Sequence, residues 1–313
     1  MPDRSYSRLL AVLTAGIFAV STASILIRFA RQSGVPALVV AAYRLTGATL
    51  ILGPIVLRRH TAELRRLARR DWFAAIFSGM FLALHFATWI SSLDYTTITS
   101  SVVLVTTGPI WVALASWLFL RERLSRPIVI GLIVTVIGGI VVGLSDSAGF
   151  GVSGAQVWGD FLALAGAWFV AGYLLIGRQL RDRMSLIAYI FIVYGAAAVV
   201  LIGLALLSGA AFALDPAGAP YPPIAWVWLI LLAILPQLVG HSSYNYALRH
   251  LPTTYVAVVS LAEPIGTSIL AFLLLREAPP LLTIVGAAII LIGIGVASRP
   301  DRSRPVMVRD IKV

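Results

Sequence analysis

Long apolar stretches separated by short polar connections dominate this chain. Ten such segments can be drawn, each close to the roughly 20 residues that a membrane-spanning helix requires. They cover residues 9–29, 37–57, 72–92, 98–119, 127–144, 157–177, 185–207, 224–247, 253–274 and 281–297. The pattern predicts an all-α membrane protein with ten transmembrane helices.

The second half of this pattern repeats the first. At an offset of 155 positions, twelve residues in 99–141 are identical to their counterparts in 254–296, with no gap. One identical pair is Pro109 and Pro264, each inside an apolar segment. Each copy holds five segments, an odd number, so the two copies must enter the membrane with opposite orientation. Inverted repeats of this kind place the substrate site near the bilayer centre, between the copies.

Basic residues determine the expected orientation, because Lys and Arg accumulate on the cytoplasmic side of a membrane protein. With both ends in the cytoplasm, 20 of the 24 basic residues fall on that side, three fall on the other, and Arg44 lies within the second segment. We therefore expect a multi-pass protein of the bacterial inner membrane, N-in and C-in. Its repeats would cover residues 8–144 and 157–297, followed by a cytoplasmic tail at 298–313.

Composition supports the membrane assignment and limits the partners. Of the 313 residues, 59% are hydrophobic and 12% are charged, and the mean hydropathy is +0.95. Soluble domains carry about 25% charged residues. The net charge of +11 comes from clusters between apolar segments, which is typical of topology determination and not of nucleic-acid binding. The expected partners are the lipid bilayer and a small-molecule metabolite, with no nucleic acid.

Motifs for energy conversion and catalysis are absent from the sequence. There is no Gly-x4-Gly-Lys-Ser/Thr phosphate loop, no His-Glu-x2-His and no Gly-x-Ser-x-Gly, and there is no cysteine. We therefore expect neither direct ATP coupling nor enzyme activity, and no cofactor or bound metal.

In several short motifs the chain resembles the EamA-type members of the drug/metabolite transporter superfamily. The matching signatures are Leu120-Arg-Glu122-Arg-Leu124 before Gly131 and Gly138, Leu275-Arg-Glu277 before Gly286 and Gly293, Ala262-Glu263-Pro264, and Ala42-Tyr-Arg44. The resemblance covers residues 9–144 and 157–297. It implies two five-helix repeats that export or import small metabolites. Members include amino-acid exporters, and the aromatic residues of these segments favour that substrate class.

Glu263 and Pro264 lie in the middle of the ninth segment. A charged carboxyl near the bilayer centre costs about 2.5–3.5 kcal/mol on insertion scales, so such groups face a cavity or a partner. Glu263 is the candidate for proton coupling, since buried carboxyls can exchange protons in the physiological range. Alternatively, it only locks the ninth helix as a neutral or Arg-paired acid. Pro109 and Pro264 are expected to break their helices, and the two copies are expected to rock about Pro109, Pro236 and Pro264.

Arg44 is the basic residue within the second segment. Its guanidinium could anchor a substrate carboxylate through two parallel hydrogen bonds. The structural alternative is pairing with carbonyl groups of a neighbouring helix or with Glu263.

The third and eighth segments each carry polar side chains on one helical face. These are His85, Trp89 and Ser92 in the third, and Gln237, His241, Tyr244 and Asn245 in the eighth. Polar side chains in lipid need partners or water, so both faces should point inward. They line a substrate cavity or form interhelical hydrogen bonds that hold the bundle together.

Further candidates have equally open roles. Trp111, Trp168 and Tyr173 either pack between helices or line the cavity, where they would favour flat or cationic substrates. Glu122 and Glu277 form gate or interface ion pairs, or they are surface charges. The spacings Gly139-x3-Gly143 in the fifth segment and Gly293-x3-Ala297 in the tenth permit close helix approach, either between these two helices or at a dimer seam. We expect a monomer or a weak homodimer.

Three functions are compatible with these residues. The first is a secondary transporter that exports amino acids by alternating access. The second is an exporter of drugs or quaternary cations, which the tryptophans favour. The third is an intramembrane enzyme, for which His85, His241 and Glu263 are the only conceivable metal ligands.

Overall fold

The structure is a computed structural model that describes residues 4–92, 94–96, 101, 104–105, 107–121, 124–144, 154–276 and 281–299. The helices are α1 (Arg4–Ser21), α2 (Ala23–Gln32), α3 (Ala37–Arg59), α4 (Thr61–Arg66), α5 (Arg69–Ser92), α6 (Gly108–Phe119), α7 (Arg126–Leu144), α8 (Gly154–Arg181), α9 (Leu186–Leu207), α10 (Pro223–Leu232), a π-helix (Ala233–His241), α11 (Ser242–Ala247), α12 (Thr253–Ser260), α13 (Glu263–Leu275) and α14 (Leu281–Ala297). The predicted all-α class is confirmed for this part of the chain.

Seven helical stretches within the described ranges are long and apolar enough to cross a membrane. They are Ser7–Gln32, Ala37–Arg59, Arg69–Ser92, Gly154–Arg181, Leu186–Leu207, Pro223–Ala247 and Thr253–Leu274. Shorter apolar helices at Gly108–Phe119, Arg126–Val141 and Ile284–Ala297 fall in the fourth, fifth and tenth predicted segments. The chain is thus a multi-pass membrane protein, while the count of ten transmembrane helices stays a prediction.

The ninth segment is broken where the sequence predicts. Helix α12 ends at Ser260 and α13 begins at Glu263, so Pro264 lies in the first turn of α13. Proline is tolerated there because the N–H groups of a first turn have no partner within the helix.

The first segment is also broken, although its apolar pattern predicts one continuous helix over residues 9–29. Helix α1 ends at Ser21 and α2 begins at Ala23. The hydroxyl of Ser21 donates to the carbonyl of Ile17 at 2.7 Å, and that of Thr22 donates to the carbonyl of Ala19 at 2.7 Å. Hydroxyl groups that bond carbonyls of the preceding turn bend helices in this way.

The two breaks lie side by side. The Ser21 hydroxyl shares its one hydrogen between the Ile17 carbonyl and the carbonyl of Glu263, whose oxygen lies 3.1 Å away, and the Thr267 hydroxyl donates to the carbonyl of Ser21 at 3.0 Å. A side chain at Gly266 would meet the Ser21 hydroxyl at 2.2 Å, so only glycine permits this approach. Two interrupted helices therefore meet where Glu263 enters the protein interior.

Helices α7 and α14 pack along their glycines. A Cβ atom at Gly131 would lie 2.6 Å from the carbonyl oxygen of Gly293, and one at Gly138 would lie 2.9 Å from that of Gly286. Gly293 belongs to the expected Gly293-x3-Ala297 spacing of the tenth segment, whereas Gly131 and Gly138 lie outside the spacing Gly139-x3-Gly143 that was expected to make the contact in the fifth.

Candidate functional site

A cavity of about 380 Å³ lies between residues of the first half (8–144) and the second half (157–297). This volume falls within the range of small-molecule sites. Nine of the predicted site residues line it: Arg44, His85, Trp89, Pro109, Tyr173, His241, Tyr244, Glu263 and Pro264. The other lining residues are mostly apolar. The cavity therefore combines an aromatic and aliphatic wall with a few polar groups.

Arg44 on α3 is almost fully buried, with 2% of its surface exposed. Its Nε donates to Oε1 of Gln237 at 2.8 Å, and its guanidinium carbon lies 4.5 Å from the centre of the Phe86 ring. Its Nη2 is buried and has no hydrogen-bond partner. The hydrogen-bond partner of Arg44 is thus the neutral side-chain amide of Gln237. The partners expected under the structural alternative were carbonyl groups of a neighbouring helix or Glu263.

The third-segment face is carried by α5. His85 Nδ1 bonds the carbonyl of Gly166 at 2.9 Å; because a carbonyl only accepts, Nδ1 carries the hydrogen, and Nε2 of the neutral ring is an acceptor. The His85 ring stacks on Trp89, with centroids 6.1 Å apart and planes at 10°. The indole Nε1 of Trp89 is buried without a partner. These side chains form a rigid aromatic surface with unused polar atoms.

His241 and Tyr244 form the opposite end of this aromatic surface. The His241 ring meets the Phe86 ring edge-on, with centroids 5.4 Å apart, and His241 Nδ1 is buried without a partner. The Tyr244 hydroxyl donates to Oε1 of Glu263 at 2.7 Å. Among the described residues that line the cavity, Glu263 carries the only carboxylate. No group of three His, Cys, Asp or Glu within the described ranges could hold a metal ion.

Gln237 and Asn245 are both fully buried, but neither lines the cavity. Asn245 accepts a hydrogen bond from the Tyr173 hydroxyl at 2.8 Å and donates to the Tyr194 hydroxyl at 3.4 Å. The expected single face of the eighth segment is therefore divided: His241 and Tyr244 face the cavity, while Gln237 and Asn245 hold a polar network behind it. Tyr194, which joins this network, is not among the predicted site residues. A tyrosine hydroxyl within the apolar seventh segment was the sequence feature that could have indicated it.

Trp111, Trp168 and Ser92 are not among the residues that line the cavity, which favours the packing and hydrogen-bonding alternatives for them. Trp168 is 39% exposed, and its ring meets that of Trp111 edge-on at 5.5 Å. The Ser92 hydroxyl donates to the Trp89 carbonyl at 2.7 Å and shares a hydrogen bond with Ser101. The two tryptophans therefore pack against each other between α6 and α8. Glu122 and Glu277 lie outside the described residues.

Comparisons with known proteins agree with this architecture. The family model described as "EamA-like transporter family" matches residues 7–144 and 157–299. An "Uncharacterized transporter" of Archaeoglobus fulgidus is 28% identical over 65% of this chain and 68% of its own length. The "Pseudopaline exporter CntI" of Pseudomonas aeruginosa is 27% identical over 94% of this chain and 96% of its own. A solved crystal structure with 21% identity shares the fold, with a TM-score of 0.76 over 93% of this chain and 96% of that one.

Proposed function

The chain belongs to the EamA-like transporter family, and from this premise we propose that it exports amino acids across the bacterial inner membrane by secondary active transport. The observation that carries the proposal is the cavity, in which one arginine and one carboxylate share an aromatic wall. Such a site suits a small solute with charges of both signs. The name of the Pseudomonas relative, an exporter, supports the outward direction.

Alternating access requires two halves that can move against each other, and two inverted five-helix repeats would supply them. The contacts between α7 and α14 support this arrangement. Gly131 meets Gly293, and Gly138 meets Gly286; at the offset of 155, Gly286 is the counterpart of Gly131 and Gly293 that of Gly138. Such reciprocal contacts are typical of a two-fold relation.

A second pair of equivalent positions supports the same arrangement. Arg121 and Arg276 are 155 positions apart and both have a positive φ, 53° and 56°. Non-glycine residues rarely adopt this conformation, so the shared backbone geometry favours two copies of one structural unit.

Polar contacts join the halves at both ends of the bundle. At the end predicted to be cytoplasmic, Arg183 pairs with Asp71 at 3.2 Å. At the other end, the Thr96 hydroxyl donates to Asp160 at 2.6 Å. In the proposed cycle the two sets of contacts open in turn. The hinges are the start of α6 at Gly108 beside Pro109, the π-helix that contains Pro236, and the break before Pro264. Glu263 carries the coupled proton.

Purified full-length protein in proteoliposomes tests the proposal. Vesicles preloaded with one unlabelled amino acid should accumulate the same labelled amino acid by exchange, and vesicles without protein should not. Failure with all twenty amino acids would remove the amino-acid claim.

The second candidate is export of quaternary cations, favoured by the aromatic rings of Phe86, Trp89 and Tyr244 on the cavity wall. Exchange of a labelled quaternary ammonium compound, in the absence of any amino-acid exchange, would select it.

A further inference from the structure

Three buried nitrogen atoms of the cavity-lining residues have no hydrogen-bond partner: Nη2 of Arg44, Nε1 of Trp89 and Nδ1 of His241. Leaving a buried polar group unpaired is costly, and native structures rarely do so without a reason. That all three belong to side chains on the wall of one cavity indicates that a ligand supplies the missing partner.

The three side chains belong to one contiguous cluster. The Arg44 guanidinium lies 4.5 Å from the Phe86 ring centre, and the His241 ring lies 5.4 Å from it. His85 contacts the same Phe86 ring at 5.1 Å and stacks on Trp89. The unpaired nitrogens are therefore arranged around Phe86 and His85, on a wall built by α3, α5 and the π-helix.

The hydroxyl groups on the α12 and α13 side of the cavity are already satisfied. Ser260 donates to the carbonyl of Ala257 at 2.8 Å, and Ser268 donates to that of Pro264 at 2.9 Å. What remains on that side is Glu263, which receives a hydrogen bond on Oε1 from Tyr244. The unpaired nitrogen atoms and the carboxylate therefore come from different helices that border one cavity.

We infer that Arg44, Trp89 and His241 form a carboxylate subsite, and that the transported solute extends from it to Glu263 through a protonated amine. A carboxylate only accepts hydrogen bonds and can take up to about four of them, which suits a guanidinium, an indole N–H and an imidazole N–H. Because Gln237 fixes Arg44 by its Nε, the guanidinium is held in place before the solute arrives. This inference rests on the proposed function and adds a requirement for both charges on one molecule.

Three probes with the same phenyl ring test it: L-phenylalanine, phenethylamine, which lacks the carboxylate, and 3-phenylpropionate, which lacks the amine. The measurement is the concentration dependence of the melting temperature of the full chain in detergent. L-phenylalanine should bind tightest. Each of the other two should bind about tenfold or more weakly, because each leaves a charged group of the protein without its partner.

Substitutions test whether the preference for L-phenylalanine arises at the proposed carboxylate subsite. Trp89→Phe keeps the ring that stacks on His85 and removes only the N–H, so it should weaken L-phenylalanine binding roughly 3- to 10-fold and leave phenethylamine binding unchanged. Arg44→Gln should abolish the preference for L-phenylalanine over phenethylamine. Trp111→Phe, which lies away from the cavity, is the matched control and should change neither.

Three results would overturn the inference. The first is equal binding of phenethylamine and L-phenylalanine. The second is a preference for L-phenylalanine that Trp89→Phe and Arg44→Gln leave intact. The third is the absence of any shift with all three probes. Amino-acid exchange in proteoliposomes distinguishes failure of the subsite from failure of the proposed function. Exchange without a carboxylate preference discards the subsite alone. Failure of exchange discards the proposed substrate.

Discussion

The Nε atom of Arg44 donates a 2.8 Å hydrogen bond to Oε1 of Gln237, which lies inside the π-helix. Gln237 does not line the cavity, yet it holds the side chain that brings positive charge to it. Because the acceptor is a neutral amide, the charge of Arg44 is oriented without being neutralised. Gln237 is thus a positioning residue for Arg44.

Replacing the Gln237 amide with a carboxylate tests separately whether Arg44 must be held in position and whether its positive charge must be available to the solute. Gln237→Glu should keep Arg44 in place and preserve or raise the melting temperature, but it should weaken L-phenylalanine binding about tenfold or more, because a nearby anion neutralises Arg44. Gln237→Leu should instead lower the free energy of unfolding by about 1–3 kcal/mol, since Arg44 loses its buried acceptor. Full L-phenylalanine binding by Gln237→Glu would show that the charge of Arg44 is not used.

Replacing the cavity carboxylate should remove the response to a proton gradient. Glu263→Gln retains a hydrogen-bonding group for Tyr244 but cannot exchange a proton. In proteoliposomes, we expect the amino-acid flux of this variant to be the same with and without an imposed pH gradient, at a lower overall level because the solute's amine also loses its anionic partner. Glu63→Gln is the matched control, since Glu63 lies on α4 outside the apolar segments. An unchanged pH dependence of flux in Glu263→Gln would remove Glu263 from coupling.

The packing of α7 on α14 can be tested with two glycines of one helix. A Cβ atom at Gly293 would lie 2.7 Å from the Thr135 nitrogen and 2.9 Å from the Gly131 carbonyl oxygen, whereas one at Gly295 would meet nothing within 4 Å. Gly293→Ala should therefore destabilise the protein by about 1–3 kcal/mol. Gly295→Ala should be neutral or stabilise it by up to about 1 kcal/mol. Equal melting temperatures for the two variants would contradict this packing.

Glu63 joins the connection between the second and third segments to the start of α9. Its carboxylate accepts hydrogen bonds of 2.7 Å from both the backbone N–H and the hydroxyl of Ser185. Partial burial would raise the pKa of Glu63, but the hydrogen bonds from Ser185 and His60 outweigh it and hold that pKa below its usual value.

A folded-state pKa below the unfolded one means that Glu63 stabilises the fold above the ordinary carboxyl pKa of about 4.3, and that this contribution is lost as the pH falls through the folded value. Glu63→Gln should therefore lower stability at pH 7 by no more than about 1 kcal/mol, as for other partly exposed pairs. Melting curves from pH 7 to pH 3.5 should show the gap to the unchanged protein closing. A gap that widens toward acid would contradict the assignment.

Much of the site could be predicted because charged and polar groups in an apolar chain have few places to lie. Arg44, His85, His241 and Glu263 each interrupt an apolar segment, and each lines the cavity. The break before Pro264 follows from the missing N–H and the rigid ring of proline.

Other features depend on contacts that sequence periodicity does not encode. Gln237 and His241 lie four residues apart in the π-helix, yet only His241 lines the cavity, because the Gln237 side chain is engaged by Arg44 of α3. Spacing along the chain does not encode that contact. Trp168 could not be assigned because indoles on lipid-facing and cavity-facing surfaces look alike in a sequence. The break at Ser21 depends on hydroxyl-to-carbonyl bonds, which any serine in a helix can make or omit.

Accessibility of the cavity from each side of the membrane is the most direct test of the central claim. The chain contains no cysteine, so Ser260→Cys places a single thiol on a residue that lines the cavity. In vesicles of known orientation, a membrane-impermeant maleimide should modify this thiol from either side, and a transported amino acid should slow the modification. Modification from one side only under every condition, or from neither, would contradict a cavity that opens alternately to both.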